Sequence, residues 1–564
     1  MRNSAFRIPH SAFAIAVFCL AIFQFSENTA DPDLWSHVFF GKQFIQTGKP
    51  TTTDYYSWTA YGQPSFDHEY LGEAVFGLAY LALGGPGLLL LKIVVGLLTF
   101  GIALSISRRV GQASCLPVRA ASSREFDWAQ DAPSTGRQDA CPTVVGGNSR
   151  PNTMLVARAF GALAVVEISF GFAARPQIFT ALSLAVELWI LNRIHAGTWR
   201  WAFALPPLFA LWFNLHGGAL VGLFLLFITA AATSAQIVLI RLAPKTALWL
   251  EPNIPQRVVP ALWISAIISA ATVVLNPHGF ELARWLVGSV LWLRPQIQEW
   301  NPATLTWDHA AFFFCAAFAA AAFILSRRRR QLWEVAVLVV LFLVAVRAVR
   351  NTPLFCIAAL AIVPPHLAGA LQRFRGSFQR FEELFRRPGM QNVFAAILLC
   401  VSAAIIVAAC TLHKKHFWTM EVPRSQYPVA AIQFIRQYDV RGNLLVYFDW
   451  GEMCIWRLPN SPVSIDGRLD SVYSPAIIDA HWKLYNGEPF DTNVLNLARA
   501  DFALLPSHLA GGEILAKIDG WHPVYFDDCA VVLVKNPAQF PKLAGLRTPV
   551  QGPPSATDGR DPFP

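Results

Sequence analysis

Apolar runs of membrane-crossing length recur through the first 412 residues, and this repetition constrains the fold more than any single motif. A bilayer core about 30 Å thick is crossed by about 20 apolar residues in a helix. Spans are predicted at 11–25, 86–107, 154–173, 177–194, 200–215, 218–240, 258–275, 310–326, 331–349, 352–371 and 391–411. The composition agrees: 54% of the chain is hydrophobic and only 14% charged. The net charge of +9 does not point to nucleic acid, because the arginines cluster in short loops between apolar runs. Of nine cysteines, five lie in apolar runs and none forms a CxxC pair, so no zinc or redox motif is signalled. Cys454 and Cys529 could pair if their domain lies outside the cytoplasm.

The arginines also set the orientation. With 86–107 as the second span, Arg193 and Arg200, then Arg241, Lys245 and Arg257, then Arg327 to Arg330, then Arg373 to Arg387 all fall on one side. That side is expected to be cytoplasmic. Were the apolar stretch 70–83 a full span, every later loop would invert. At 1.5 Å per residue it reaches only about 20 Å, so an interfacial or re-entrant helix is expected there. Arg2, Arg7 and the run 11–25 fit either a cleaved signal peptide or a retained first span. The spans that follow favour retention, and either reading puts Asp31 outside.

A fold class follows: an α-helical polytopic membrane protein of about 11 spans (residues 1–412) with a C-terminal extracytoplasmic α/β domain (413–540). The outer loop 26–85 carries interfacial helices, the first running from Leu34 to Gln46. The polar segment 110–150 reads as a disordered cytoplasmic insertion and the Pro/Gly-rich tail 541–564 as disordered. In the C-terminal domain, strands are expected at "NLLVYF", "PVSI", "DFALLP", "HPVYFDD" and "AVVLVK", with helices between them.

Polar motifs collect on the outer side. They are "DPDLWSH" with Asp31, Asp33 and His37, "FDHEYLGE" with Asp67, His68, Glu69 and Glu73, and "ARPQ" with Arg175. Further along come "NLHGG" with His216, "NPHGFE" with Asn276 and His278, "RPQIQEW" with Arg294 and Glu299, and "RAVRN" with Arg347 and Arg350. Ionisable groups at membrane depth usually face a cavity or the protein interior. Arg347 and Arg350 stand on the side where the positive-inside rule does not want them. They suit an anionic head group, which guanidinium forks bind well, or they snorkel to the interface. One aspartate of "DPD" can act as a general base or metal ligand, or Asp33 can simply cap the helix beginning at Leu34. His68 and Glu69 can orient a substrate, ligate a cation or relay a proton, or Glu69 can merely favour a helix N-terminus. His216 and His278 sit beside glycines, which marks packing or a turn as readily as a ligand.

The succession "DPDLWSHVFFGKQFIQTGKPTTTDYYSWTAYGQPSFDHEYLGE", "RPQIFT", "NLHGG", "NPHGFE", "RNTPLF", "FDWGEMCIWRLP" and "SIDGRLD" resembles a group of bacterial membrane proteins near the GT-C glycosyltransferases. These include the protein mannosyltransferases and aminoarabinose transferases. The resemblance spans most of the chain except 110–150 and the tail. It implies a polyprenyl-phosphate sugar donor, an extracytoplasmic lipid, glycan or protein acceptor, and a catalytic Asp after the first span. That Asp corresponds to Asp31 or Asp33, and a second acid to Glu69. Here "DPD" replaces an Asp-Glu pair and "HEYL" a Pro-rich segment. The expected reading is sugar transfer in the bacterial inner membrane. The N-terminus would be cytoplasmic, with Asp31, Asp33, His68 and Glu69 catalytic and Arg175, Arg347 and Arg350 on the donor phosphate. Asp33 and Glu69 would be possible ligands of a divalent Mg or Mn ion. Asp449, Trp450, Asp466, Arg468 and Asp470 would contact acceptor or saccharide, unless "DWG" and "DGR" are only turns. The alternative is a non-catalytic scaffold for lipid-linked saccharide or an envelope-assembly partner.

Overall fold

The computed structural model describes residues 7–109, 153–245, 247–291, 294, 296–374, 388–412, 418–554 and 559–564. The segment expected to form a cytoplasmic insertion, 110–150, lies outside them. Among the described residues, seven helices are long and apolar enough to cross a membrane: Gly85–Ser107, Thr153–Phe170, Gln177–His195, Ala219–Leu242, Val258–Leu275, Trp307–Leu325 and Val349–Leu371. Of the other predicted spans, 11–25 lies in the helix Arg7–Phe25, 391–411 in the helix Pro388–Leu412 and 331–349 in the shorter helix Leu332–Arg347. The stretch at 200–215 is a 3-10 turn, Trp199–Ala204, followed by an α-helix, Leu205–Leu215. Pro206 and Pro207 explain the break, since proline suits the first turn of a helix but not its interior. A helix not anticipated, Gly279–Leu291, follows "NPH".

Helix α1 is Arg7–Phe25, α2 is Leu34–Thr47 and α3 is Tyr70–Leu83. The last two pack at closest approach through Gly41 and Gly77. A Cβ on Gly41 would overlap the Glu73 carbonyl, and one on Gly77 would stand 2.7 Å from the Gly41 carbonyl carbon. This closeness sets His37 against Glu73. The helix Thr352–Leu371 is buried on nearly all sides, because its many alanines let neighbours approach. Its N-terminal end follows the turn Val349–Asn351, which fixes Arg350 at that end of the bundle.

Beyond Thr419 the chain forms a five-stranded mixed sheet. With β1 as Glu421–Pro423, the sheet contains β2 (Leu444–Val446), β3 (Phe502–Pro506), β4 (His522–Phe526), β5 (Ala530–Val534) and β6 (Val550–Gln551), in the order β2-β3-β5-β4-β6. The stretch "PVSI" is not a strand. Val463 makes isolated bridges to Ser57 and Leu444, and Pro462 has no N–H for a regular ladder. Cys454 and Cys529 are free thiols rather than a disulfide.

The tail, expected to be disordered, is partly ordered. β6 joins the sheet, and β7 (Arg560–Pro562) pairs antiparallel with β1. Arg560 bonds Glu421 at 2.7 Å, and Phe563 packs 4.5 Å from Trp35 between centroids. Aromatic burial and the β1 ladder outweigh the Pro/Gly content.

The loop that follows helix α1 is stitched to this domain. The Trp58 indole N–H donates to the Leu444 carbonyl (3.1 Å), Thr59 to Ser464 (2.6 Å), and Tyr427 to Ala30 (2.7 Å). Arg468 bridges buried Asp54 (2.8 Å) and Asp466 (2.7 Å). The space left between loop, helix ends and sheet domain is the site.

Candidate functional site

A cavity of about 1230 Å³ opens where α2, the helix ends and the C-terminal domain meet. Its first wall starts at "DPD". The Asp31 carboxylate accepts the backbone N–H of Asp33 (3.0 Å), and the Asp31 carbonyl accepts that of Leu34 (3.1 Å), so the turn entering α2 is made by Asp31. Asp33 occupies the N-cap position yet its side chain makes no capping bond. The capping alternative therefore fails for Asp33, and its carboxylate is turned instead to the cavity and Arg175.

Arg175 comes from the turn between Thr153–Phe170 and Gln177–His195. Its Nε donates to Asp31, and its Nη1 stands 3.4 Å from both Asp33 and Glu299. Burial alone would lower its pKa, but the three carboxylates prevail and raise it well above the usual value. Asp33 is about a quarter open (27%) but walled by protein beyond the opening. Burial pushes its pKa up to about 6 against the pull of Arg175, and Asp31 adds to the rise.

A second cluster surrounds Glu69. His68 Nε2 lies 3.1 Å and His216 Nε2 3.4 Å from its Oε1, and His37 Nδ1 is 3.1 Å from Glu73. The Gly218 N–H donates to His216 Nδ1 (2.9 Å), and the Thr180 hydroxyl, itself accepting from the Trp212 indole, lies 2.7 Å from that nitrogen. Nδ1 is thus an acceptor, and Nε2 carries the proton facing Glu69. Burial holds His216 neutral down to about 4. Burial also opposes ionisation of Glu69, but the two imidazoles reverse this and hold it well below the usual carboxylate range. The imidazoles of His216 and His68 are the main groups that favour the charged form of Glu69, and His68 adds a hydrogen bond to it. That histidine's pKa is raised by Glu69 despite burial.

The third wall is cationic and aromatic. Arg294 and Arg350 both lie over the Trp300 ring, with guanidinium carbons 4.6 and 4.8 Å from its centroid. Arg294 also bonds Asp470 at 2.6 Å. Arg347 is exposed to the cavity, and no acid among the described residues neutralises it.

Of the residues expected from sequence, Asp33, His37, His68, Glu69, Arg175, His216, Glu299, Arg347 and Arg350 line this one cavity, with Asp31 just behind Arg175. Asn276 and His278 do not. Asn276 bonds Asn214 (3.2 Å) and the His278 N–H (3.0 Å), while His278 Nε2 reaches the Asp67 carbonyl (3.2 Å). They staple loops together. Asp449, Arg468 and Asp470 also line the cavity, but Asp466 is buried beneath it and Trp450 packs in the core. Glu452, Trp300 and Trp482 also line the cavity without being among the residues expected from sequence. Glu452 did leave a signal, as an acid in the apolar helix "GEMCIWR".

The expected Mg or Mn ion does not fit the donors present. Asp31, Asp33 and Glu299 converge on one guanidinium, while Glu69 is matched by imidazoles. Among the described residues, no three His, Cys, Asp or Glu side chains are grouped to hold a metal.

Neither a protein-family model nor a curated protein matches the chain. Solved structures do. The chain is similar to the oligosaccharyltransferase AglB from Archaeoglobus fulgidus, solved with an inhibitory peptide and a dolichol-phosphate, at 13% identity and a TM-score of 0.50. The match covers 90% of this chain and 69% of that one. ArnT from Cupriavidus metallidurans, bound to undecaprenyl phosphate, aligns at 13% identity over 97% of this chain and 100% of that one, with a TM-score of 0.41. These neighbours are GT-C glycosyltransferases, and the likeness to AglB establishes their fold for this multi-pass membrane protein.

Proposed function

We propose, from a GT-C fold built around this cavity, that the chain is a membrane glycosyltransferase moving a sugar from a polyprenyl-phosphate donor to an acceptor outside the cytoplasm. One observation carries the reading. Asp33, released from capping, opens onto the same cavity as the unpaired guanidinium of Arg347 and the half-buried one of Arg350. In the reaction, Asp33 takes the proton of an acceptor hydroxyl or amine, whose heteroatom attacks the anomeric carbon. The bond from that carbon to the phosphate oxygen breaks, and the departing polyprenyl phosphate keeps the electron pair. Arg347 and Arg350 stabilise this charge by charge-assisted hydrogen bonds. A pKa near 6 leaves Asp33 ionised at neutral pH yet more basic than an ordinary carboxylate. Arg175 serves the base rather than the phosphate, since three carboxylates already hold it. His68 and Glu69 form a neighbouring charged pair that orients the acceptor.

The same reading takes eleven spans in the inner membrane of a bacterium, with the N-terminus cytoplasmic and the C-terminal domain outside. The arginine clusters of the alternate loops support this orientation. The acceptor, whether lipid, glycan or protein, enters beside Asp449, Arg468 and Asp470.

Asp33→Asn in nanodisc-embedded protein, supplied with polyprenyl-phosphate sugars and an envelope extract, is the decisive test. Transfer should fall by ~10²–10⁴ while thermal unfolding is unchanged. Transfer that survives the substitution removes Asp33 from the chemistry. A chain that binds the lipid-linked sugar equally well with or without Asp33, and never transfers it, is a scaffold instead. Mass spectrometry of lipid-linked sugars in cells lacking the protein then identifies the donor.

A further inference from the structure

The C-terminal domain sets a second carboxylate against Asp33. Glu452 begins the short helix Gly451–Arg457 and is only 3% exposed. An acid at that depth in an apolar helix needs a partner or a proton. The backbone N–H of Ser36, in the first turn of α2, donates to Glu452 Oε2 at 3.4 Å. The other oxygen faces Asp33: Glu452 Oε1 and Asp33 Oδ1 both lie 2.5 Å from the point where a Cβ on Gly467 would stand. Glycine at 467 thus lets the Asp466–Arg468 loop close over both acids, and any side chain there would drive them apart.

The surrounding charges act on each acid from its far side. Asp33 is faced by Arg175, Asp31, His37 and Glu299, and Glu452 by Asp466 and Arg468. The Arg468 Nη2 is committed to Asp466 and Asp54, and Arg175 is shared among three acids. Two carboxylates that meet at one point beside Gly467, with no ion pair to Glu452 among the described residues, ionise one at a time.

We propose that Glu452 is the positioning residue of Asp33: it keeps its proton while Asp33 is ionised, and aims it, directly or through one water, at the Asp33 carboxylate. Burial first, and then the charge on Asp33, push the Glu452 pKa well above the carboxylate range, in keeping with this arrangement. The pair then carries one negative charge, and the outer domain becomes part of the reaction centre. This inference rests on Asp33 being the base, but its test does not require transfer to occur.

The test is infrared difference titration of the full chain in nanodiscs, comparing wild type, Glu452→Gln and Asp33→Asn. Differencing cancels the other buried acids, Asp67 and Glu73 among them. Wild type minus E452Q should show a protonated-carboxyl band that persists above neutral pH. In D33N the titration of that band should fall by about one pH unit, because the neighbouring charge is gone. A high-pH carboxyl that survives in E452Q, or one whose midpoint is unmoved in D33N, overturns the pairing. If E452Q does not fold, Glu452→Asp, which keeps the acid but moves its carboxyl band, takes its place in the comparison with D33N. If D33N abolishes transfer while the titrations are uncoupled, only the role of Glu452 falls and the base assignment stands.

Discussion

The two charged clusters of the cavity answer the same problem with different cations. Around Arg175, three carboxylates converge on a guanidinium that keeps its charge at every working pH. Around Glu69, the partners are imidazoles, one neutral and one readily protonated. The first cluster therefore has fixed geometry while a single proton on Asp33 comes and goes. In the second, the positive charge itself changes with pH. A base needs the first kind of setting. The second suits a group that adjusts the local field without doing chemistry.

The sharpest way to break this contrast is to remove the guanidinium. Arg175→Ala leaves Asp31, Asp33 and Glu299 facing one another with no counter-charge, and is expected to cost about 3–5 kcal/mol. Thermal unfolding in nanodiscs reads this directly. Arg175→Lys keeps the charge but cannot fork to three acids, and should recover only part of the loss. A stable R175A protein would mean the cluster is not the hub described here.

A smaller effect sharpens the role of Asp33. A base must be unprotonated, so transfer should rise with pH through about 6, the value to which burial pushes this carboxyl, and level off above it. Below that value the rate should fall tenfold for each pH unit. Glu299 is among the groups raising the Asp33 pKa, so Glu299→Gln should move the acid limb of the profile to lower pH. Movement in the other direction contradicts the charge assignment.

How much of this was legible in the sequence differs from residue to residue. Hydropathy marks the long helices because a bilayer demands a fixed apolar length, but it also reads 200–215 as one span where Pro206 and Pro207 open a new helix after a 3-10 turn. The positive-inside rule gathered Arg175, Glu299 and the "DPD" acids on one side. It could not pair Arg175 with Asp31 across 144 residues, because that contact depends on how helices pack. Asp33 misled in a different way. Its residue type and position both say N-cap, but capping depends on a side-chain rotation that Arg175 and the cavity decide. Asn276 and His278 show the converse, polar groups at a helix end whose bonds turn into the loops. The tail was hidden by composition, since its order comes from three residues on β1 and one phenylalanine among Trp35, Tyr80 and Trp456.

The mildest prediction probes the imidazole cluster by comparing two of its histidines. His216 is neutral from about 4 upward, so near neutral pH its contribution is the weak polar contact of Nε2–H with the Glu69 carboxylate 3.4 Å away. His216→Gln can still donate to Glu69 and accept from Gly218, and should cost about 1 kcal/mol or less, by the same amount from pH 5 to pH 8. His68 behaves differently, because its folded pKa is raised above the ordinary 6.5. The stabilisation it gives is fully present below that ordinary value and fades as the pH rises through the raised one. Thermal unfolding of His68→Gln should therefore show its largest deficit on the acid side, shrinking toward pH 8. Parallel pH profiles for the two variants would mean that both imidazoles are neutral. The charge that holds Glu69 ionised would then have to come from the arginines across the cavity.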